Sequence, residues 1–169
     1  MVTAVGADRP GVIAALSGVL VELGCNLSDT QMAVLQGYAS MMLVVDAPES
    51  VGVDHLQVAL AQGCEGLGHA LWVQRISDLL PPARPGHRWV VSVHGADRPG
   101  VVFEATRLLA DAHINVIGLE SRLSGTVCSL SMQVDVPQGV DGNEVATKLD
   151  RLGEQLGLSC SMRPAPDRT

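Results

Sequence analysis

Along the 169-residue chain the spacing of apolar positions switches repeatedly between two periods, and the switches mark the elements. Val2 to Val5 is a short apolar run that reads as a strand, ended by Gly6. After Asp8-Arg9-Pro10-Gly11, the residues Val12, Leu16, Val19, Leu20 and Leu23 recur at the spacing of one helix face, and Gly24 closes that helix. From Asn26 the period becomes two. Ser28, Thr30, Met32 and Val34 share one face, while Asp29, Gln31 and Ala33 share the other. Gln36-Gly37 is a turn signal, after which Ala39, Met41, Leu43 and Val45 alternate with Tyr38, Ser40, Met42 and Val44 until Pro48 ends the hairpin. Helical spacing returns at Val53, Leu56, Leu60 and Leu67, between about Gly52 and a stop at Gly68, and a last strand is predicted from Ala70 to Ile76.

The whole pattern then repeats. Gly6-Ala7-Asp8-Arg9-Pro10-Gly11-Val12 comes back unchanged as Gly95-Ala96-Asp97-Arg98-Pro99-Gly100-Val101, an offset of 95 − 6 = 89 positions. The same offset pairs Asn26 with Asn115, Asp46-Ala47-Pro48 with Asp135-Val136-Pro137, and Leu67-Gly68 with Leu156-Gly157. A period this long indicates duplicated domains, since solenoid units repeat every ~20–50 residues. Each copy reads strand, helix, strand, strand, helix, strand. The predicted fold class is therefore α+β: two tandem ferredoxin-like βαββαβ domains, each an antiparallel sheet with both helices on one face. The expected boundaries are 1–77 and 88–163, joined by a Pro-rich linker at 78–87 and followed by a polar tail at 164–169 that frays after Met162.

The copies differ on the presumed open sheet face. The first shows Tyr38, Met42 and Val44 there. The second shows Val127, Ser131 and Gln133, beside Glu120 and Arg122. An apolar open face wants a cover, so the first sheet is expected to lie against the other copy or a second chain. Units of roughly 75 residues are marginally stable alone, which points the same way, and a homodimer is expected.

Composition narrows the function classes. The chain is 47% hydrophobic with one Tyr and one Phe, so aliphatic residues and six Met build the core. A formal net charge of −7, with 11 scattered basic residues, argues against direct nucleic-acid binding. No stretch approaches a membrane span and Met1 leads into a strand, so a soluble cytoplasmic protein without a signal peptide is expected. Cys25, Cys64, Cys128 and Cys160 form no C-x-x-C pair, and their repeat partners are Ile114, Gly153, Ala39 and Leu71; they read as buried small hydrophobes. His55, His69 and His87 have no partner at metal-ligand spacing, so no metal site is nominated. Neither a nucleophile elbow nor a phosphate-cradling loop is present, so no catalytic residue is nominated and no enzyme is expected.

The repeated motif itself admits structural and functional readings. Asp8 and Asp97 read as helix N-caps, Asp8 accepting from the Gly11 amide, with Pro10 presetting the first turn. Arg9 and Arg98 would face an anion or an interdomain carboxylate. Gly11 and Gly100 give backbone freedom, and Asn26 and Asn115 are turn residues or ligand contacts. His94, in the place of Val5, reads as a surface histidine that could make the copies unequal. His113, in the place of Gly24, suits a helix C-terminus.

With D-R-P-G-V between first strand and first helix, and an Asn opening the second strand, each copy resembles the ACT domain, a small regulatory module of amino-acid metabolism. The resemblance covers about residues 2–76 and 88–163. Two such domains with nothing else attached are similar to the glycine cleavage system transcriptional repressor family. The resemblance implies a small amino acid or related metabolite bound where ACT domains pair. The implied positions are Gly6, Asp8, Arg9, Pro10, Gly11 and Val12 with Asn26, and Gly95, Asp97, Arg98, Pro99, Gly100 and Val101 with Asn115. Free amides at a helix N-terminus would attract the ligand's carboxylate. No cofactor is implied. Control of transcription would be indirect, through a separate DNA-binding regulator. The rival reading is a ligand-independent protein-interaction module.

Overall fold

The computed structural model describes residues 1–76 and 86–166, which form two compact units. The first contains β1 (Val2–Ala7), α1 (Val12–Glu22), β2 (Asn26–Leu35), β3 (Tyr38–Asp46), α2 (Val53–Gly63) and β4 (Ala70–Val73). The second contains β5 (Gly86–Ala96), α3 (Val101–Asp111), β6 (Asn115–Ser124), β7 (Val127–Pro137), α4 (Gly142–Leu156) and β8 (Leu158–Pro164). Each is a four-stranded antiparallel sheet, ordered β2-β3-β1-β4 and β6-β7-β5-β8. This is the predicted βαββαβ arrangement, twice.

The two periodicities place the cores. In β1 and β3, Val2, Ala4, Met41 and Leu43 turn inward and meet Val12, Leu16 and Leu20 of α1 and Leu56 and Leu60 of α2, and Ala39 is buried on the same face. The second core is built the same way from Val91, Val93, Leu130, Met132 and Val134 against Val101, Ala105, Leu109, Val145 and Leu149. Removing these side chains from water is the main favourable term for each unit. Cys25 and Cys64 belong to the first core. Among the described residues no helix is long and apolar enough to cross a membrane.

The hairpin turn falls at Gln36-Gly37, where φ is 54° and 78°. Two consecutive left-handed residues match the twist of the flanking strands. This turn also holds the motif loop: the Asp8 amide donates to the Gly37 carbonyl at 2.8 Å, and the Asp97 amide to the Thr126 carbonyl at 2.8 Å.

Several local expectations are corrected. Asp8 and Asp97 do not cap their helices. The N-caps are Gly11 (φ 94°) and Gly100 (φ 95°), with no side-chain cap bond, and Pro10 and Pro99 lie one residue further out. The chain swings through a left-handed residue just before the helix, which leaves the aspartate short of the capping position. α2 stops at Gly63, not Leu67, because Gly66 (φ 82°) and Gly68 (φ 69°) take conformations a right-handed helix excludes. β4 ends at Val73 rather than Ile76. β5 starts at Gly86, where Gly86 and His87 pair with Pro137 and Val136. The end after Met162 is not frayed as far as Ala165: β8 runs to Pro164, and the Ala165 amide donates to the Arg88 carbonyl. Residues 78–85 of the expected 78–87 linker lie outside the described residues, as do 77 and 167–169.

Candidate functional site

In the first unit the motif forms one wall of a shallow depression. Asp8, Arg9, Pro10, Gly11, Val12, Ile13 and Ala14 line it, with Met32 of β2 and Ala39 of β3 opposite. The local cause is the left-handed Gly11. It starts α1 without a side-chain cap, so amides of the first turn have no intrahelical acceptor. An added Cβ at Gly11 would meet nothing within 4 Å, so the glycine is needed for its φ and not for space. Gly6 is the opposite case. A Cβ there would lie 2.6 Å from the His69 ring, which packs flat against the strand.

The two motifs share seven residues but not their surroundings. In the second unit the Arg98 guanidinium donates to the carbonyl of Leu156, the last residue of α4. A cation there satisfies an orphan carbonyl and opposes the negative end of the helix dipole. In the first unit the equivalent carbonyl belongs to Leu67 and pairs instead with His69 Nδ1 at 3.0 Å. Leu158 stands in the second unit where His69 stands in the first. Among the described residues Arg9 makes no hydrogen bond or ion pair and is exposed. The His69 Nε2 is buried without a partner. Ala14 of the depression becomes Phe103, 60% exposed, under the Arg107 guanidinium at 5.6 Å.

The predicted positions are not all brought together. Gly6, Asp8, Arg9, Pro10, Gly11 and Val12 cluster, as do Gly95, Asp97, Arg98, Pro99, Gly100 and Val101. Asn26 and Asn115 do not join them within a unit. Ala7 pairs with Tyr38 at one end of β3, and Asn26 pairs with Asp46 at the other. Those ends are 46 − 38 = 8 residues apart, about 26 Å of strand. Asn115 lies opposite Asp135 in the same way. Around Asn26, the carboxylate of Asp46 accepts from the Ser28 hydroxyl.

Met32, Ala39 and His69 were not among the predicted site residues. The first two were accessible in principle, because the Gln36-Gly37 turn folds them back beside the motif. The 89-residue offset exposes the third, as a His where the other copy has Leu.

Other chemistry is sparse. Among the described residues no group of three His, Cys, Asp or Glu side chains could hold a metal ion. Burial pushes the Cys25 and Cys64 thiols up, and burial with the Asp150 charge raises Cys160. Thiols held neutral in this way are poor nucleophiles and poor metal ligands. His94 Nδ1 lies 2.8 Å from the Ser129 hydroxyl on the open face of the second sheet.

The fold and the motif together define a class. Residues 1–74 and 89–154 each match the ACT domain family, and the chain belongs to it as a tandem pair. Among curated proteins it is similar to the glycine cleavage system transcriptional repressor of Escherichia coli, 29% identical over 123 residues. That match covers 72% of this chain and 63% of the repressor, slightly under two thirds of its length. A UPF0237 protein of Methanopyrus kandleri is 40% identical over 75 residues, 44% of this chain and 83% of that one. Among solved structures, a protein of Galdieria sulphuraria superposes with a TM-score of 0.80 at 25% identity, covering 98% of this chain and 96% of its own.

Proposed function

We propose that the chain is a non-catalytic regulatory protein whose first unit binds a small amino acid or related metabolite at the motif depression. The observation that carries this reading is the pairing of an uncapped α1 N-terminus with the uncommitted Arg9 on one wall of that depression. Unpaired amides at a helix start, reinforced by a guanidinium, suit a carboxylate. Met32 and Ala39 opposite suit a small aliphatic part. The second motif has spent its arginine on Leu156, and its counterpart of the depression carries Phe103. On this reading it is a structural copy.

Similarity to a glycine cleavage system transcriptional repressor supports a role in control of glycine or one-carbon metabolism. With a net charge of −7 the chain would act on transcription through a separate DNA-binding protein and not by touching DNA. Asn26, about 26 Å from the motif of its own unit, would contact ligand only in an assembly that brings in a second ACT domain.

The test is a thermal-shift screen of the full chain against the twenty amino acids, with Gly, Ser and Cys first. A ligand at 100 times its dissociation constant adds about 2.7 kcal/mol, several degrees for units of this size. The expected result is a shift that Arg9→Leu abolishes. Arg98→Leu should lower the starting Tm but keep the shift. A second reading, a ligand-independent interaction module, draws on the exposed Tyr38, Met42 and Trp72. Silence across the panel would favour it.

A further inference from the structure

The strand register of the first unit sorts its side chains into two faces, and the face away from the helices contains three rows beyond that of Val44 and Asp29. Ala7, Tyr38 and Leu35 form one row; Val5, Ser40, Ala33 and Ala70 the next; Thr3, Met42, Gln31 and Trp72 the third. None of the residues in these three rows is charged, and the adjoining row carries one carboxylate, Asp29. The five largest apolar ones are strongly exposed, with Leu35 at 72%, Tyr38 at 63% and Trp72 at 57%.

The second unit shows what this face looks like when it is left to water. Its matching rows hold Ala96, Val127 and Ser124; then His94, Ser129, Arg122 and Ser159; then Ser92, Ser131, Glu120 and Ser161. Met42 and Trp72 have become Ser131 and Ser161, and Ala33 has become Arg122. The backbone register is the same, so the fold does not require the apolar set. Something that covers the first face does.

We infer that this face is a homodimer interface: two copies of the chain stack their first-unit sheets face to face about a two-fold axis. Two properties favour a second copy over a different protein. A two-fold contact sets the patch against itself, and the three uncharged rows meet no like-charge repulsion when it does so, with Asp29 left at the margin. A charged partner would find a single carboxylate, Asp29, at the margin of the patch. The area also fits. Two aromatic rings and three aliphatic side chains expose roughly 500–600 Å² per copy, the upper end of what a monomer leaves open. A pair would bury roughly 1,000–1,200 Å², the lower end of specific interfaces. Inward-facing side chains of two sheets packed in this way interdigitate across about 10 Å.

The test is sedimentation of the full chain, without added amino acid, at roughly 100 μM, well above the micromolar dissociation constants such interfaces can have. Wild type should sediment as a dimer, twice its 17.7 kDa. The double variant Met42→Ser/Trp72→Ser, which installs the second unit's own residues, should sediment as a monomer with unchanged far-ultraviolet circular dichroism. Should that variant not fold, Tyr38→Glu provides the check, because it places a carboxylate in the apolar contact and should also give monomer. Leu123→Ser, an exposed apolar residue of β6, should leave the dimer intact. A monomeric wild type, a dimer that survives the face substitutions, or equal loss with Leu123→Ser would overturn the inference. The ligand screen is independent: Arg9 is not on this face, so either reading can fail without the other.

Discussion

Both units leave their first helix through a left-handed residue, but they use different ones. The first uses Gly24 at φ 67°, the second His113 at φ 57°. A side chain in that region costs about 1–2 kcal/mol, less whatever backbone entropy a glycine would lose on folding. His113→Gly should therefore stabilise the second unit by about 0.5–1 kcal/mol, read as a rise of a few degrees in its Tm. An unchanged or lower Tm would mean that the imidazole's favourable place beside the end of α3 outweighs the strain. Cys25 and Cys64 are buried core groups as the sequence indicated, whereas Cys160 is half-buried at the edge of the second core and Cys128 is half-buried outside it. Because burial raises the thiols of Cys25 and Cys64, their contribution to folding is complete at neutral pH and declines as pH climbs through and beyond the ordinary thiol range.

At the scale of elements, helix starts separate aspartates that look alike in sequence. Asp141 caps α4 by accepting from the Asn143 amide at 2.9 Å, whereas Asp8 and Asp97 cap nothing. Asp141→Ala should cost about 1 kcal/mol of stability. Asp8→Ala and Asp97→Ala should each change it by less than about 0.5 kcal/mol, as for exposed surface positions. Chemical denaturation of the three variants checks the ordering. This contrast also shows where sequence reading stops. Alternation in Ala39, Met41 and Leu43 and helical spacing in Val12, Leu16 and Leu20 report burial directly, so sheet, helices and hairpin were legible. Capping depends on one φ value at Gly11, which a sequence does not print. The end of α2 depended on whether Gly66 ends the helix or Leu67 extends it, and periodicity gave weight to Leu67. The resemblance implied a ligand where two domains pair, and within one unit Asn26 stands apart from the motif for a topological reason: a strand that starts at one end of the sheet does not meet a loop at the other.

For the molecule as a whole, duplication has kept the two backbones in register while giving them different side chains on matching surfaces. One sheet face is apolar and the other hydroxylic. One arginine is uncommitted and the other is fastened to a helix end. The motif loop of each unit hangs by an aspartate amide from the tip of its hairpin, and among the described residues only the second is also pinned through its guanidinium. These two amides are therefore a matched pair of isotope-exchange clocks, with the same flanking sequence and the same acceptor geometry. The Asp8 amide should exchange with deuterium faster than that of Asp97, since fewer contacts oppose its opening. A metabolite seated at the first motif should slow the Asp8 clock and leave the Asp97 clock running at its own rate. Equal slowing of both would mean that the second loop opens and binds as well.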